Sequence, residues 1–364
     1  MSEKKSVKKI ILKRVLPAIL FLLLLFLAAV FVVNKIKLSQ ELKILDDAGY
    51  YNPVSVGDYS MNVQITGNPD GKHRLVALAG GGVCNFGLHL TPITDQFMDE
   101  NQIVVVDRPG YGLSDDTKEP QTAEKVVEEY RTALKNAGVK EPYILMPHSI
   151  GGAYATYWVS QYPEEIEGVV FFDGTQLGPD SEIEGIPSKF VLDMEIISCK
   201  MGLYRLVASN YIFPLPGERT EEEQRISYML SVRTGANHAM AYEELYVNEA
   251  AKFAYENIKT NDVPKVYICA SWGSETKEDI INRIEWENEQ LRALGKKEMQ
   301  VPDDLIQIEL DQTKEKRETV LKPYCEKMGN CKLVLLGGDH FIFDQRPDDC
   351  ADVIREFLNS GLAA

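Results

Sequence analysis

Ser149 stands in "ILMPHSIGGAYATYW" (144–158), where an apolar run meets small residues and then a helical pattern. A serine at a sharp strand-to-helix turn exposes its hydroxyl beside a helix N-terminus. The backbone N–H of Ile150 can then face a developing oxyanion, and the hydroxyl can serve as an acyl-transfer nucleophile. Gly151 and Gly152 let helix and strand approach closely. The same residues also suit a serine N-cap with glycines for packing. A second feature is "AGGG" (79–82), after the apolar run "RLVAL". Backbone N–H groups there can supply the other half of an oxyanion hole, Gly81 first and Gly82 next. A flexible turn is the alternative. The third is His340 in "LLGGDHFIFDQRP". An imidazole on the loop after a last strand can reach back and take the serine proton. Alone it would be a surface-loop histidine; the order of serine, then histidine near the C-terminus, each at a strand end, favours the catalytic reading.

Positioning these groups requires strands that end at one edge. "HRLVALAGGG", "NQIVVVDRPGYG", "PYILM" and "IEGVVFFDGT" are short apolar runs closed by turn residues. Between them lie "TAEKVVEEYRTALKNAGV", with Thr122 as N-cap and Gly138 beyond the C-terminus, and the helix "GGAYATYWVSQYP". Continuous apolar strands alternating with helices imply a mostly parallel sheet covered on both faces. From about 178 to 261 the alternation stops, and "FVLDMEIISCKMGLYRLVASNYIF" and "EEEQRISYMLSVRTGANHAMAYEELYVNEAAKFAYENI" read as helices. The sheet resumes at "VPKVYICAS" (263–271), is interrupted by a charged helical insertion over about 276–325, and closes with "CKLVLLGGDH" and a last helix. The helical segment 178–261 therefore reads as a cap over the strand C-termini, where open α/β sheets bind ligands. Met201, Tyr204, Tyr211 and Phe213 are expected to form the core of that cap.

The 364-residue chain carries a net charge of −16, which does not suit nucleic-acid binding. Its N-terminus is the exception. Residues 15–33, "VLPAILFLLLLFLAAVFVV", hold no charge, and a helix of that length crosses roughly 30 Å of hydrocarbon. A signal peptide has a shorter apolar region of about 7–15 residues and a small-residue cleavage site. "FVVNKIK" offers none, which points to an uncleaved anchor. Lys4, Lys5, Lys8, Lys9, Lys13 and Arg14 precede the run and outnumber Lys35 and Lys37 after it. The positive-inside rule then places 1–14 in the cytoplasm and the rest of the chain outside. The implied layout is a basic tail (1–14), an anchor (15–33), a juxtamembrane segment (34–58), core (59–177), cap (178–261) and core again (262–364). The juxtamembrane segment is expected to be a stalk or a helix packed on the body. The six cysteines are Cys84, Cys199, Cys269, Cys325, Cys331 and Cys350. "CEKMGNC" (325–331) could close a small disulfide loop in an oxidising compartment, or its thiols could stay free.

Together, "LAGGG" (78–82), "VVVDRPGYGLSD" (104–115), "PHSIGG" (147–152), "YPEEIEGVVFFDG" (162–174) and "GGDHFIFDQRPDD" (337–349) resemble the α/β-hydrolase fold superfamily. The resemblance runs from about residue 60 to the C-terminus, apart from the cap and the insertion. It implies a Ser–acid–His triad with Ser149 as nucleophile and His340 as base. Two positions depart from the family pattern. Pro147 replaces the first glycine of G-x-S-x-G, and the oxyanion loop opens with Ala79–Gly80 where histidine–glycine is common. Family members mostly place the acid after the next-to-last strand. Here that loop, "ASWGSETKED", offers only Glu275. Asp173, at the end of "GVVFFD", is the other position from which a carboxylate could reach the histidine, and is slightly preferred. Asp339 is a third choice. Asp107 and Arg108 read as structural.

The resemblance implies a hydrolase of an ester, thioester or amide in a small acyl substrate, needing no metal or organic cofactor. A ligand-binding domain that has lost turnover and a carbon–carbon bond hydrolase are the alternatives. Sequence alone leaves the oligomeric state open.

Overall fold

The computed structural model describes residues 13, 15–179, 182–360 and 362. Of the basic residues before the apolar run, only Lys13 falls among them; Lys4, Lys5, Lys8, Lys9 and Arg14 lie outside the described residues. The run itself begins a single helix, α1 (Leu16–Asp47), that is long and apolar enough to cross a membrane. Its first half buries nothing against the protein. In its second half Asn34, Glu41 and Leu45 are buried against the body. The segment after 33 is therefore a continuation of the apolar helix.

Among the described residues the sheet has eight strands in the order β1-β2-β4-β3-β5-β6-β7-β8. They are β1 (Pro53–Ser55), β2 (Ser60–Gly67), β3 (Arg74–Leu78), β4 (Gln102–Val106), β5 (Tyr143–Pro147), β6 (Ile166–Phe172), β7 (Lys265–Cys269) and β8 (Cys331–Leu335). From β4 to β8 all neighbours are parallel; β1 and β2 pair antiparallel at one edge. The sheet thus begins at Pro53, inside the stretch read from sequence as juxtamembrane. Strand β5 is buried at every position, which explains why "YILMP" shows no alternation.

Two apolar layers cover the sheet. One packs α3 (Ala123–Asn136) and α4 (Gly151–Gln161) through Tyr130, Tyr154 and Trp158. The other packs α2 (Phe86–Thr94) and the C-terminal helix through Phe86, Phe343 and Phe357. The Thr122 hydroxyl accepts the Lys125 N–H and so caps α3, and Gly138 follows at φ +78°.

The cap contains α5 (Lys189–Met201), α6 (Glu221–Thr234), α7 (His238–Leu245) and α8 (Val247–Glu256). The helix expected over 190–213 is only half a helix. Gly202, in the left-handed region, ends α5, and short 3-10 turns follow. The aromatic residues beyond the break are not cap core: Tyr211 and Phe213 are exposed. The charged insertion is α9 (Lys277–Ala293) and α10 (Asp303–Lys316), running through a π-helical turn into α11 (Lys322–Met328). A short helix, α12 (Ile342–Gln345), and a longer one, α13 (Pro347–Ser360), follow β8. All six cysteines are free thiols.

Helix α1 is fixed to the cap by polar groups. Arg205 grips Glu41 with both ends of its fork, at 2.6 and 2.9 Å, and its Nε donates to Asn34 Oδ1 at 3.0 Å. Arg233 donates to the Leu38 carbonyl. Both members of the Arg205–Glu41 pair are largely buried, so removing one leaves an uncompensated charge. Arg205→Ala should lower the stability of the full chain in detergent by about 3 kcal/mol. The double replacement Arg205→Met with Glu41→Leu should recover most of it. Thermal melting of the three proteins checks this.

Candidate active site

Strand β5 delivers the chain to Ser149, whose φ of +51° is held by its surroundings. Its carbonyl accepts two N–H groups, from Gly152 and Thr175, both at 2.8 Å. The following glycines are steric necessities. A Cβ at Gly151 would lie 2.6 Å from the Leu78 carbonyl oxygen, and one at Gly152 would lie 2.9 Å from Gly174 Cα. Gly80 presses on the elbow from the other side, 3.0 Å from Ser149 Cβ by the same construction. Pro147 is the last residue of β5, buried and paired in register with Leu78. The ladder hydrogen bond there comes from the His148 N–H to the Leu78 carbonyl, at 3.0 Å, so proline's missing donor is not needed.

Asp173 follows β6 and is fully buried, with φ of +40°. Its Oδ1 accepts the N–H groups of Ala270 (2.9 Å) and Ser271 (3.0 Å). Its Oδ2 accepts the Ser271 hydroxyl and lies 2.7 Å from His340 Nδ1. A carboxylate only accepts, so Nδ1 carries the proton and Nε2 keeps its lone pair. Burial acts to lower the His340 pKa. The Asp173 hydrogen bond and charge outweigh it and hold the imidazole above its ordinary value. The His340 side chain remains 42% exposed, open to a substrate. Glu275 stands exposed just before α9, where its N–H donates to Asp279. Asp339 turns its carboxylate to the Phe341 N–H. Of the three carboxylates weighed from sequence, the structure brings Asp173 to His340.

The neighbouring His148 is buried between Phe86, Phe341 and Phe343. Its Nε2 donates to the His340 carbonyl at 3.1 Å, and the two rings stand 4.5 Å apart. Burial, then the His340 charge, depress its pKa far below the ordinary range. His148 therefore anchors the His340 loop over the elbow through this hydrogen bond, a role that sequence reading missed.

The glycine loop is held by its carbonyls. Arg108, buried, donates to the carbonyls of Ala79 (2.5 Å) and Gly80 (3.2 Å). The Gly82 N–H is bonded to the Tyr111 hydroxyl at 3.1 Å, which removes Gly82 as an oxyanion donor. Among the described residues the N–H groups of Gly81 and Ile150 donate to no protein acceptor. The two residues lie side by side, since a Cβ on Gly81 would meet Ile150 Cγ2 at 3.9 Å.

A cap residue completes this arrangement. Glu243 of α7 accepts from Arg108 Nη2 (3.0 Å), from the Tyr154 hydroxyl (2.7 Å) and from the Tyr111 hydroxyl. Burial and the Glu243 charge push both tyrosines well up, so they stay protonated donors. Asp107 accepts from Leu113 in its own turn and from Asn62 of β2, and burial raises its pKa to about 6.

Two cavities have Gly82 in their walls. The smaller, about 340 Å³, is lined by Ser149, Ile150, Gly81, Thr175, Tyr111 and Glu243. The larger, about 500 Å³, is walled by Tyr204, Tyr211, Phe213, Trp286, Met299 and Phe341, with the His89–Asp344 pair (2.6 Å) on one side. Tyr204, Tyr211 and Phe213, expected as cap core, are cavity wall.

The alpha/beta hydrolase fold family model matches residues 94–194. An uncharacterised Bacillus subtilis protein, YbdG, is 30% identical over 284 residues, covering 76% of this chain and 86% of its own. A second Bacillus subtilis protein, YqjL, also uncharacterised, is 33% identical over 98 residues, 27% of this chain and 38% of its own. Among solved structures, a bacterial membrane phospholipase A shares 15% identity at a TM-score of 0.53, covering 97% of this chain and all of its own (100%). An enol-lactonase from Burkholderia xenovorans shares 15% at a TM-score of 0.52, covering 85% and 100%.

Two measurements check the electrostatics. NMR titration of the His340 ring should give a midpoint above about 6.5, and Asp173→Asn should bring it down because the Asp173 charge is lost, while that of Asp339 remains. Glu243→Gln leaves the buried Arg108 uncompensated and should destabilise by about 3 kcal/mol. Glu244→Gln, at the exposed neighbour, should stay within ~0.5 kcal/mol of the parent on the same melting curves.

Proposed function

The chain belongs to the α/β-hydrolase superfamily, and from that premise we propose that it is a membrane-anchored serine hydrolase of carboxylic esters, thioesters or amides. The observation that carries this reading is the 2.7 Å contact of Asp173 with His340 Nδ1, on a loop held over the Ser149 elbow. In this reading Ser149 Oγ attacks the acyl carbonyl as His340 Nε2 takes its proton. The tetrahedral oxyanion is held by the Gly81 and Ile150 N–H groups, which have no protein acceptor to compete. The His340 imidazolium protonates the leaving alcohol, thiol or amine, and an acyl-enzyme remains. Water then gives its proton to His340, attacks the acyl carbon, and frees the acid and Ser149.

A non-catalytic ligand-binding role would be favoured by a missing acid or a distorted elbow. Asp173 supplies a carboxylate at the right atom of His340, and Pro147 sits where no donor is needed. Helix α1, with the basic residues before it, supports an anchor that leaves the body outside the cytoplasm.

A fluorophosphonate probe should label Ser149 in the folded full-length protein. Ser149→Ala should abolish both labelling and hydrolysis of p-nitrophenyl acetate, and Asp173→Asn should slow hydrolysis by about 10³–10⁴-fold. Because only neutral His340 can accept the proton, kcat/KM should fall below a pH above about 6.5. Labelling at another residue, or a full rate in Ser149→Ala, would overturn the reading.

A further inference from the structure

Helix α5 is apolar on two opposite faces. Leu192 and Ile196 pack into the cap against Ala241. On the other side Phe190 is 73% exposed, Ile197 52% and Met194 50%. At 100° per residue, positions 190, 194 and 197 form one stripe, opposite 192 and 196. Leu206, just past the helix, is 58% exposed. An apolar stripe of this extent marks a contact surface.

The stripe lies where α1 leaves its apolar run. Asn34 is the first polar residue after that run. Its Nδ2 donates to the Cys199 carbonyl at 3.5 Å, and its Oδ1 takes the Arg205 Nε. Gly202 backs directly onto the Asn34 side chain, where a Cβ would lie 2.5 Å from Asn34 Cβ. The C-terminal end of α5 is thereby fixed at the level where α1 emerges from hydrocarbon. Whatever surrounds the unburied apolar half of α1 is continuous with what covers the stripe.

We propose that this face of the cap seats in the lipid leaflet beside α1, so that the larger cavity opens to the lipid phase and the substrates are acyl esters carried in the bilayer. Two exposed aromatics, Tyr211 and Phe213, stand at once on the cap surface and on the wall of that cavity. That cavity and the Ser149 chamber share Gly82 in their walls. An acyl chain entering from lipid would run along a wall of Tyr211, Phe213, Trp286, Met299 and Phe341, with the polar His89–Asp344 pair facing it. The proposal rests on the anchor and on the serine-hydrolase reading above.

The test uses the full chain reconstituted in phosphatidylcholine vesicles, with and without bromine on the acyl chains. Phe190→Trp and Ile197→Trp should each add emission that brominated lipid quenches. Lys332→Trp, at the strand end away from the cap, should not be quenched. Equal quenching at all three sites, or none, would overturn the proposal. So would an emission change that ignores bromine and follows protein density, because that marks contact between copies. Phe190→Asp with Ile197→Asp should slow hydrolysis of a long-chain acyl ester in the vesicles by at least ~10-fold and leave p-nitrophenyl acetate hydrolysis unchanged. An equal effect on both esters would overturn it. If the parent hydrolyses neither ester, the serine-hydrolase reading fails and with it the substrate assignment, while quenching still decides the lipid contact. If the protein does not float with the vesicles, the anchor fails and the proposal falls with it.

Discussion

The buried ion pair between Arg108 and Glu243 joins the parts of the molecule that would otherwise be independent. Arg108 comes from the turn after β4, and Glu243 from the cap. A guanidinium taken out of water must be matched in charge and saturated in hydrogen bonds. Here Glu243 supplies the charge, while the carbonyls of Ala79 and Gly80 take remaining donors. The loop that offers the Gly81 N–H is therefore fixed by its carbonyls, which leaves the N–H free to face a ligand. The same turn carries Tyr111, whose hydroxyl occupies the Gly82 N–H. It also carries Asp116, which receives the N–H groups of His238 and Ala239 at the start of α7. The "DRPGYGLSDD" segment is thus the seat on which the cap helix and the oxyanion loop are both aligned.

The opposite half of the site depends on different forces. Asp173 is oriented by two backbone N–H groups at the end of β7 and one hydroxyl, all belonging to the sheet or its edge. His340 is oriented by Asp173 at one end and through its carbonyl by neutral His148 at the other. The Asp173–His340 pair is thus held by the parallel sheet, and the glycine loop by the cap. Changing Glu243 acts on the second and leaves the first in place.

What was legible in the sequence follows this division. Ser149, the glycine loop and His340 are marked by short, contiguous patterns, because elbow and turn sterics act within a few residues. The parallel strands came from short apolar runs, which stand out when both faces of a sheet are buried. The acid was ambiguous because "GVVFFD" and "ASWGSETKED" are adjacent strand ends, and chain spacing does not say which carboxylate points to the histidine. Glu243 carried no signal at all, being one of two successive glutamates in an amphipathic helix. Gly81 and Gly82 were separable only once Tyr111 was placed. The break at Gly202 was missed because apolar periodicity continues across it, and the aromatics beyond it resemble core residues by type alone.

Those aromatics also show why the cap differs from an ordinary core layer. A helix buried on one side normally turns charge to the other, yet α5 exposes Phe190, Met194 and Ile197 alongside Lys189, Asp193, Glu195 and Lys200. Its second apolar face would be a liability in a body surrounded by water. It ceases to be one where α1, locked by Asn34 and the Arg205–Glu41 pair, holds that face at the end of an apolar span. The polar lock therefore does more than attach an anchor. A stalk with no side-chain pairing would let the body tumble, exposing the stripe to water on most orientations. A rigid junction selects one orientation, and in it the exposed apolar side chains of α5 and those of α1 share a single surroundings.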